Sequence, residues 1–355
     1  MKLKELLENE KLDGIFITNM YNLRYFTGFS GTTGVALVTS KNRYFFTDFR
    51  YIQQANNQVV PKGFKVVKVE RDSLETVKEY IKQDNVKTLG LEDLDMTLSA
   101  FSSVKKYFGD IEYKFLGEKL SGIRIVKDEI EIETIKKAIS ISDIAFTEIL
   151  KDIKVGISER EIAAKLEYVM KINGAEDKSF ETIVASGYRS AMPHGVASDK
   201  KIGNNEFITM DFGCYYNGYV SDMTRTVFVG DNLTDKHKEI YNTVLEAQLL
   251  AISKVKAGMK AKELDKIARD YITEKGYGEN FGHGLGHGIG VEIHEAPGVS
   301  TRGEIILEEN MTITIEPGIY VEGFGGVRIE DDVIVKKDGC IVMNKSPKDL
   351  IILKK

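Results

Sequence analysis

Cysteine, proline and histidine are all scarce in this chain of 355 residues: it has two cysteines, five prolines and five histidines. Two cysteines, Cys214 and Cys340, cannot build a disulfide framework. That excludes a small secreted scaffold held by cross-links and points to a reducing cytoplasm. An excess of positive charge is missing too. Lys and Arg number 49 against 54 Asp and Glu, for a formal net charge of −5, which argues against a nucleic-acid partner. No apolar run approaches the ~18 residues of a membrane span. The opening stretch MKLKELLENEKLDG is charged throughout and lacks the apolar core of a signal peptide. A cytoplasmic protein with no membrane partner is expected. What is present is ordinary for a globular chain, 42% hydrophobic and 29% charged, and the length suggests two domains at ~100–200 residues each.

The scarce residues cluster. His283, His287 and His294 fall within twelve residues of a Gly-rich stretch, and Pro193, Pro297 and Pro317 each adjoin a His or Glu of interest. Residues 1–120 alternate short elements. An amphipathic helix at Leu3, Leu6 and Leu7 precedes strand-like runs at 14–18, 35–40, 44–48, 64–69 and 88–92, with helical patterns at 73–83 and 97–108. This predicts a mixed α/β domain. GEKLSGIR (117–124) reads as a linker, and the aromatic run YNLRYFTGF (21–29) as a loop that either packs or walls a pocket.

Residues 121–355 repeat themselves. Asp128 with Glu131, and Ser158 with Glu161, have the spacing of capping boxes at two helix starts. VGISEREIAAKLEYVMKINGA (155–175) corresponds to AGMKAKELDKIARDYITEKGY (257–277): Gly156 with Gly258, Glu161 with Glu263 and Gly174 with Gly276, each offset by 102. A long helix capped by Thr234 precedes the second copy. The strands that follow correspond as well, with Asp211 in FITMDFG matching Glu316 in MTITIEPG, and Asp222 in VSDMTRTVFV matching Glu330 in VRIEDDVIV. Each half therefore reads helix, helix, strand, strand, which predicts a pseudo-two-fold domain with a site on its axis.

Residues i and i+2 of a strand share a face. Asp211 then faces away from Ile208, Met210 and Phe212, and Glu316 away from Ile313 and Ile315, while Arg328, Glu330 and Asp332 share a face. The turn signal Asn217-Gly218 folds Asp222 back toward Asp211. Buried carboxylates repel one another and cost several kcal/mol each unless compensated. Any one of these acids alone is better read as part of a solvated polar face. Four at equivalent repeat positions, with one arginine among them, call for divalent metal. In FGHGLGHGIGVEIHEAP (281–297) the glycines forbid a stable helix, so His283 and His287 are not a helical i, i+4 zinc pair. One ligand and one pocket-wall histidine is the simpler division of His287 and His294. His237 sits on a polar helix and reads as structural, as does Cys214. Carboxylates with one imidazole suit Mn²⁺ or Co²⁺ better than a thiolate zinc site would.

The motifs MDFG, SDMTRT, GHGIGVEIHEAP, TIEPGIY and GGVRIEDDV, in this order and spacing, resemble the pita-bread metallopeptidases, in the aminopeptidase P and prolidase branch. The resemblance covers the whole chain. It implies a creatinase-type α/β domain over 1–120 and, over 121–355, a pita-bread catalytic domain of α+β type with a curved, mainly antiparallel sheet. It also implies two divalent ions, Mn²⁺ first with Co²⁺ or Zn²⁺ as alternatives. Asp211 would hold one ion, His287 and Glu316 the other, and Asp222 and Glu330 would bridge. A bridging hydroxide would attack the scissile carbonyl and Glu316 would shuttle the proton. His194 and His294 would contact substrate or stabilise the tetrahedral intermediate, Arg328 would orient Glu330 or substrate, and Tyr320 would wall the pocket. His283 matches only part of the family. Substrates would be short peptides with proline second, either Xaa-Pro dipeptides or longer Xaa-Pro peptides, and the protein would be a homodimer. The rival readings are a methionine-aminopeptidase-like enzyme, a metal-free creatinase-like one, and a catalytically silent peptide- or protein-binding relative.

Overall fold

The computed structural model describes residues 2–354 and divides into two compact units, the first ending at Arg124 and the second beginning at Ile125. The first unit is built on one six-stranded sheet in the spatial order Lys65–Lys68, Arg43–Thr47, Val35–Thr39, Gly14–Ile17, Thr88–Leu91, Glu112–Phe115. The helices expected at 73–83 and 97–108 are present as Ser73–Gln83 and Leu98–Phe108, capped by the side chains of Asp72 and Thr97. Two readings need correction. The aromatic run is no loop: Met20–Thr27 is a helix, capped by Asn19 and ended by Gly28 at φ 76°, with Leu23 and Phe29 in the core. The supposed linker forms two 3₁₀ turns, and Leu116 and Leu120 beside them are buried in that same core. A helix of one or two turns leaves too few periods for its pattern to register.

In the second unit the repeat is visible in backbone geometry. The helices are Glu129–Ile149 and Glu159–Ile172 in one half, and Asp235–Lys254 and Ala261–Glu274 in the other. Capping boxes close the first two at Asp128/Glu131 and Ser158/Glu161. The paired glycines share left-handed conformations: Gly156 at φ 92° with Gly258 at 89°, and Gly174 at 106° with Gly276 at 87°. These are conformations that a side chain makes costly.

The first half's main hairpin pairs Glu206–Phe212 with Met223–Val229, Thr224 opposite Asp211 and Thr226 opposite Thr209. The chain reverses between them at Asn217-Gly218, both at positive φ. In the second half Thr312–Ile315 pairs with Asp331–Lys336, Thr314 opposite Asp332. The mainly antiparallel sheet structure expected here is present, though not as one unbroken ladder: it falls chiefly into a four-stranded and a five-stranded part. The run VRIEDDVIV is not one strand either. Gly325–Arg328 pairs with Gly318–Val321, and pairing breaks at Ile329–Glu330. There the Glu330 N–H donates across to the Thr224 carbonyl at 3.1 Å, which stitches the second half to the first.

Each hairpin lays its apolar face on its own helix pair. Ile208, Met210 and Phe212 pack with Ile141, Ile162 and Leu166, while Ile313, Ile315 and Val333 pack with Val244 and Leu264. At ~1.5–3 kcal/mol for each large side chain removed from water, these two cores fix the strands, and alternation leaves the acids on the other face. His237 is structural, but not on a polar surface: it is buried in the first turn of its helix, with Nδ1 2.6 Å from the Thr234 hydroxyl and its ring among Phe207, Phe228 and Phe324.

Candidate metal centre

A cavity of about 380 Å³ opens over the acidic faces. Asp211, Asp222, His287 and Glu316 line its floor, with His194, His283, His294 and Arg328 around them and Phe180, Ile183, Pro193 and Val196 forming an apolar wall. Glu330 is fully buried beneath, its Oε2 accepting from the Thr224 hydroxyl at 2.7 Å. Glu330, Glu316 and Asp211 each have one fixed side-chain donor. Thr314 Oγ1 donates to Glu316 Oε1 at 3.0 Å, and Arg328 Nη2 donates to Asp211 Oδ2 at 2.6 Å.

His287 reaches the acids because Gly286 and Gly288 flank it. A Cβ at Gly286 would lie 2.1 Å from the Thr314 carbonyl oxygen, and one at Gly288 2.3 Å from that of Ala296, so only glycine lets these backbones approach. The His287 Nδ1–H is turned to the Gly288 carbonyl at 3.1 Å. That leaves the Nε2 lone pair 3.5 Å from Asp222 Oδ2 and 3.4 Å from Glu316 Oε1. A carbonyl-anchored tautomer is the one a metal-ligating histidine uses. The chain reverses after Gly288, so the His294 ring returns edge-on to His287, with centroids 4.5 Å apart.

The electrostatics are those of a site short of positive charge. Burial pushes the Asp222 and Glu330 carboxyls well above the usual carboxylate range, and the neighbouring acids push them further. Burial carries Glu316 up to about 8, with Arg328 opposing and Asp211 adding to the shift. Burial also lowers His287, which keeps its imidazole neutral. Asp211 Oδ1, Asp222 Oδ1, Glu330 Oε1 and Asp332 Oδ1 are buried without a hydrogen-bond partner. Asp222, His287 and Glu330 each bring a ligand atom within 4.8 Å of the other two. Buried carboxylates that keep an oxygen without a partner, beside a bare imidazole nitrogen, are the donors that a divalent cation takes, and the residues present fit one.

Arg328 is spread over four partners. Besides Asp211 it donates from Nε to Thr224 Oγ1 at 3.1 Å, and from Nη1 to the Pro193 carbonyl at 3.2 Å and the Tyr320 hydroxyl at 2.7 Å. Tyr320 stands one layer behind the cavity wall. Because His283 Nδ1 faces the Gly284 carbonyl, its Nε2 accepts the Tyr320 hydroxyl at 2.8 Å. His283 thus joins Asp211, Arg328 and Tyr320 in one chain of hydrogen bonds. Burial pushes its imidazole down to about 4.

Two side chains that sequence reasoning passed over hold the histidines in place. Glu159 is completely buried at the start of its helix and gathers the loop that carries Pro193 and His194. It accepts from Ser186 N at 2.8 Å, Ser186 Oγ at 2.9 Å, Arg189 Nε at 3.0 Å, Ser198 N at 3.1 Å and Ser198 Oγ at 2.6 Å. Glu295 does the same beside His294, with Oε1 accepting from Val291 N and Glu292 N while Oε2 pairs with Lys127 at 3.1 Å. No spacing rule marks either residue, since most of Glu159's partners lie 27 to 39 positions away.

Comparison with known proteins places these features in a family. The family model for metallopeptidase family M24 matches residues 133–337, and that for the creatinase/prolidase N-terminal domain matches 1–126. An Xaa-Pro dipeptidase from Bacillus anthracis is 48% identical, with a TM-score of 0.95 over 99% of this chain and 98% of its own. An X-Pro aminopeptidase from Thermotoga maritima is 43% identical, with a TM-score of 0.90 over 97% and 98%. The Xaa-Pro dipeptidase of Pyrococcus furiosus is 41% identical over 99% of this chain and 98% of its own. The chain belongs to metallopeptidase family M24, in its prolidase and aminopeptidase P branch, with a creatinase/prolidase-type domain at its amino end.

Proposed function

We propose that this protein hydrolyses the peptide bond before proline in Xaa-Pro dipeptides, using two divalent cations held by Asp211, Asp222, His287, Glu316 and Glu330. The observation that carries the reading is the convergence of Asp222, His287 and Glu330, each with a ligand atom within 4.8 Å of the other two, in a site where the buried Asp211, Asp222 and Glu330 each keep an oxygen without a hydrogen-bond partner. Relatives named Xaa-Pro dipeptidase at 41–48% identity supply the substrate class. The presence of the creatinase/prolidase-type domain favours this branch over a methionine-aminopeptidase-like enzyme. The complete acid set disfavours a metal-free or silent relative.

When bound, the cations polarise the scissile carbonyl and activate the attacking water. Asp211 would hold one ion and His287 with Glu316 the other, and Asp222 and Glu330 would serve both. Glu316, its Oε1 fixed by Thr314, uses Oε2 to take the water's proton and deliver it to the proline nitrogen as the C–N bond breaks. That nitrogen has no hydrogen of its own in the substrate, so the leaving amine needs the delivered proton. His194 and His294 face the substrate across the cavity, and His294 stabilises the oxyanion as charge develops. Arg328, anchored by Asp211, Tyr320, Thr224 and Pro193, orients the substrate from its buried place beside Asp211. Mn²⁺ as the native ion, a homodimer and a cytoplasmic location belong to the same proposal. The hard, carboxylate-rich donor set supports the first and two unpaired cysteines support the last. Among the described residues no helix is long and apolar enough to cross a membrane.

The test is a side-by-side assay of Xaa-Pro dipeptides, Xaa-Pro-Yaa tripeptides and Met-led peptides lacking proline. Dipeptide turnover that a chelator abolishes and Mn²⁺ restores is expected. Turnover that survives complete metal removal, or preference for the Met-led peptides, defeats the assignment.

A further inference from the structure

The strands that carry the acids also have a back. Alternation puts Thr224 on the front, with its hydroxyl on Glu330, and Arg225 on the reverse. Arg225 is among the largest fully buried side chains of the molecule, 1% exposed. All five of its N–H groups find acceptors. Nη1 donates to the Thr224 carbonyl at 2.9 Å and to the Glu330 carbonyl. Nη2 donates to Asp331 Oδ1 at 2.7 Å and to the Ser346 carbonyl at 2.9 Å, and Nε to the Pro347 carbonyl at 3.1 Å. The other oxygen of Asp331 takes Lys348 Nζ at 2.6 Å and Gln248 Nε2 at 3.0 Å.

The two carbonyls on Nη1 belong to the residues whose side chains meet in front. One guanidinium therefore grips both halves of the repeat directly behind the acids. In front, Asp222 and Glu330 bring carboxylate oxygens within 4.8 Å of each other. We propose that Arg225, with Asp331 and Lys348, is a positioning clamp that holds the Asp222 and Glu330 strands at cation-binding separation, so that metal affinity is set in part from the back of the sheet. The proposal rests on the metal-centre reading above. It gives the carboxyl-terminal segment 346–348 a role, because its backbone and Lys348 complete the clamp.

The test titrates Mn²⁺ into full-length, chelator-stripped protein and follows the free ion by electron paramagnetic resonance. Loss of an outer-shell partner costs about 10–100-fold in metal affinity. Arg225→Met should show a weakening of that order, Arg225→Lys less, and Lys348→Met several-fold. Val77→Ala, in the helix Ser73–Gln83 of the first unit, which carries none of the metal-site acids, is the comparison: it lowers the melting temperature and leaves Mn²⁺ affinity alone. A folded Arg225→Met with wild-type affinity overturns the clamp, as does a weakening that Val77→Ala matches at equal loss of melting temperature. If Arg225→Met does not fold, Lys348→Met decides, since that lysine is 21% exposed; unchanged affinity there overturns the clamp. A wild-type protein that binds no Mn²⁺ or Co²⁺ fails earlier and differently, and takes the metal centre down with it.

Discussion

Glu316 is pulled in two directions. Burial among other acids favours its protonated form, yet its place beside His287 suits a ligand and a proton carrier. Replacing it with Gln keeps the shape and the Thr314 hydrogen bond but removes the proton. The expected result is a fall in kcat of about 10²–10⁴-fold with KM little changed, read from steady-state kinetics at saturating metal. A kcat within threefold of wild type removes Glu316 from the proton path. Tyr320 calls for a milder expectation. Phe there deprives His283 Nε2 of its donor and Arg328 of an acceptor, at a cost of about 1–3 kcal/mol in a buried network. Thermal unfolding should show the loss, and metal content should not change. That the four acids converge was legible in the sequence because strand alternation and the repeat point to the same residues, while His287 stood out through the cluster of scarce histidines. Tyr320's setting was not: four positions after Glu316 it was expected in the pocket wall, but its hydroxyl is drawn back by Arg328 on the paired strand and by His283, 37 positions away in sequence.

The loop from Ser186 to Ser198 is the element that places His194, and its shape depends on one carboxylate. The single 3₁₀ turn Gly187–Ala191 would not by itself return the chain to its start. Glu159 binds the loop at both feet, through Ser186 and Ser198, while Arg328 holds its crest through the Pro193 carbonyl. Glu159→Ala frees the feet and leaves Arg189 beside a hole. KM for an Xaa-Pro dipeptide should rise about tenfold, roughly 1.4 kcal/mol, with kcat changed far less and Mn²⁺ affinity intact. Glu159→Gln, which keeps an acceptor oxygen, should recover part of the loss. A fall in kcat alone would place Glu159 in the chemistry instead of the loop. Long, strongly patterned helices were legible down to their caps, because 3.6-residue periodicity and capping boxes are local signals. Met20–Thr27 was not, being short and aromatic, and neither was the break at Ile329–Glu330, where a tertiary hydrogen bond to Thr224 overrides strand propensity.

For the molecule as a whole, the raised carboxyls make stability depend on both metal and pH. In the metal-free protein Glu316 holds its proton up to about 8, against 4.5 for the ordinary group. A folded-state pKa above the unfolded one stabilises below the unfolded value, and that stabilisation is lost as pH rises through the folded value. Asp222 and Glu330 shift the same way. Burial lowers His283 to about 4 from 6.5 and therefore acts in the opposite sense, but only in the acid range. Between pH 6.5 and 9 the metal-free protein should lose melting temperature, Glu316→Gln should lose less, and Mn²⁺-loaded protein should hold level. Calorimetry in chelator and in Mn²⁺ checks this, and a metal-free melting temperature that climbs over the same interval contradicts it.

The two halves are alike in frame and unlike in what they offer. One brings two short acidic arms, Asp211 and Asp222; the other brings two arms a methylene longer, Glu316 and Glu330, and an imidazole besides. Duplication by itself would furnish twin berths of equal appetite. On the two-cation reading proposed above, divergence would make the berth near Asp211 all oxygen and the one near His287 partly nitrogen, so cations would occupy them in sequence and not as a matched pair.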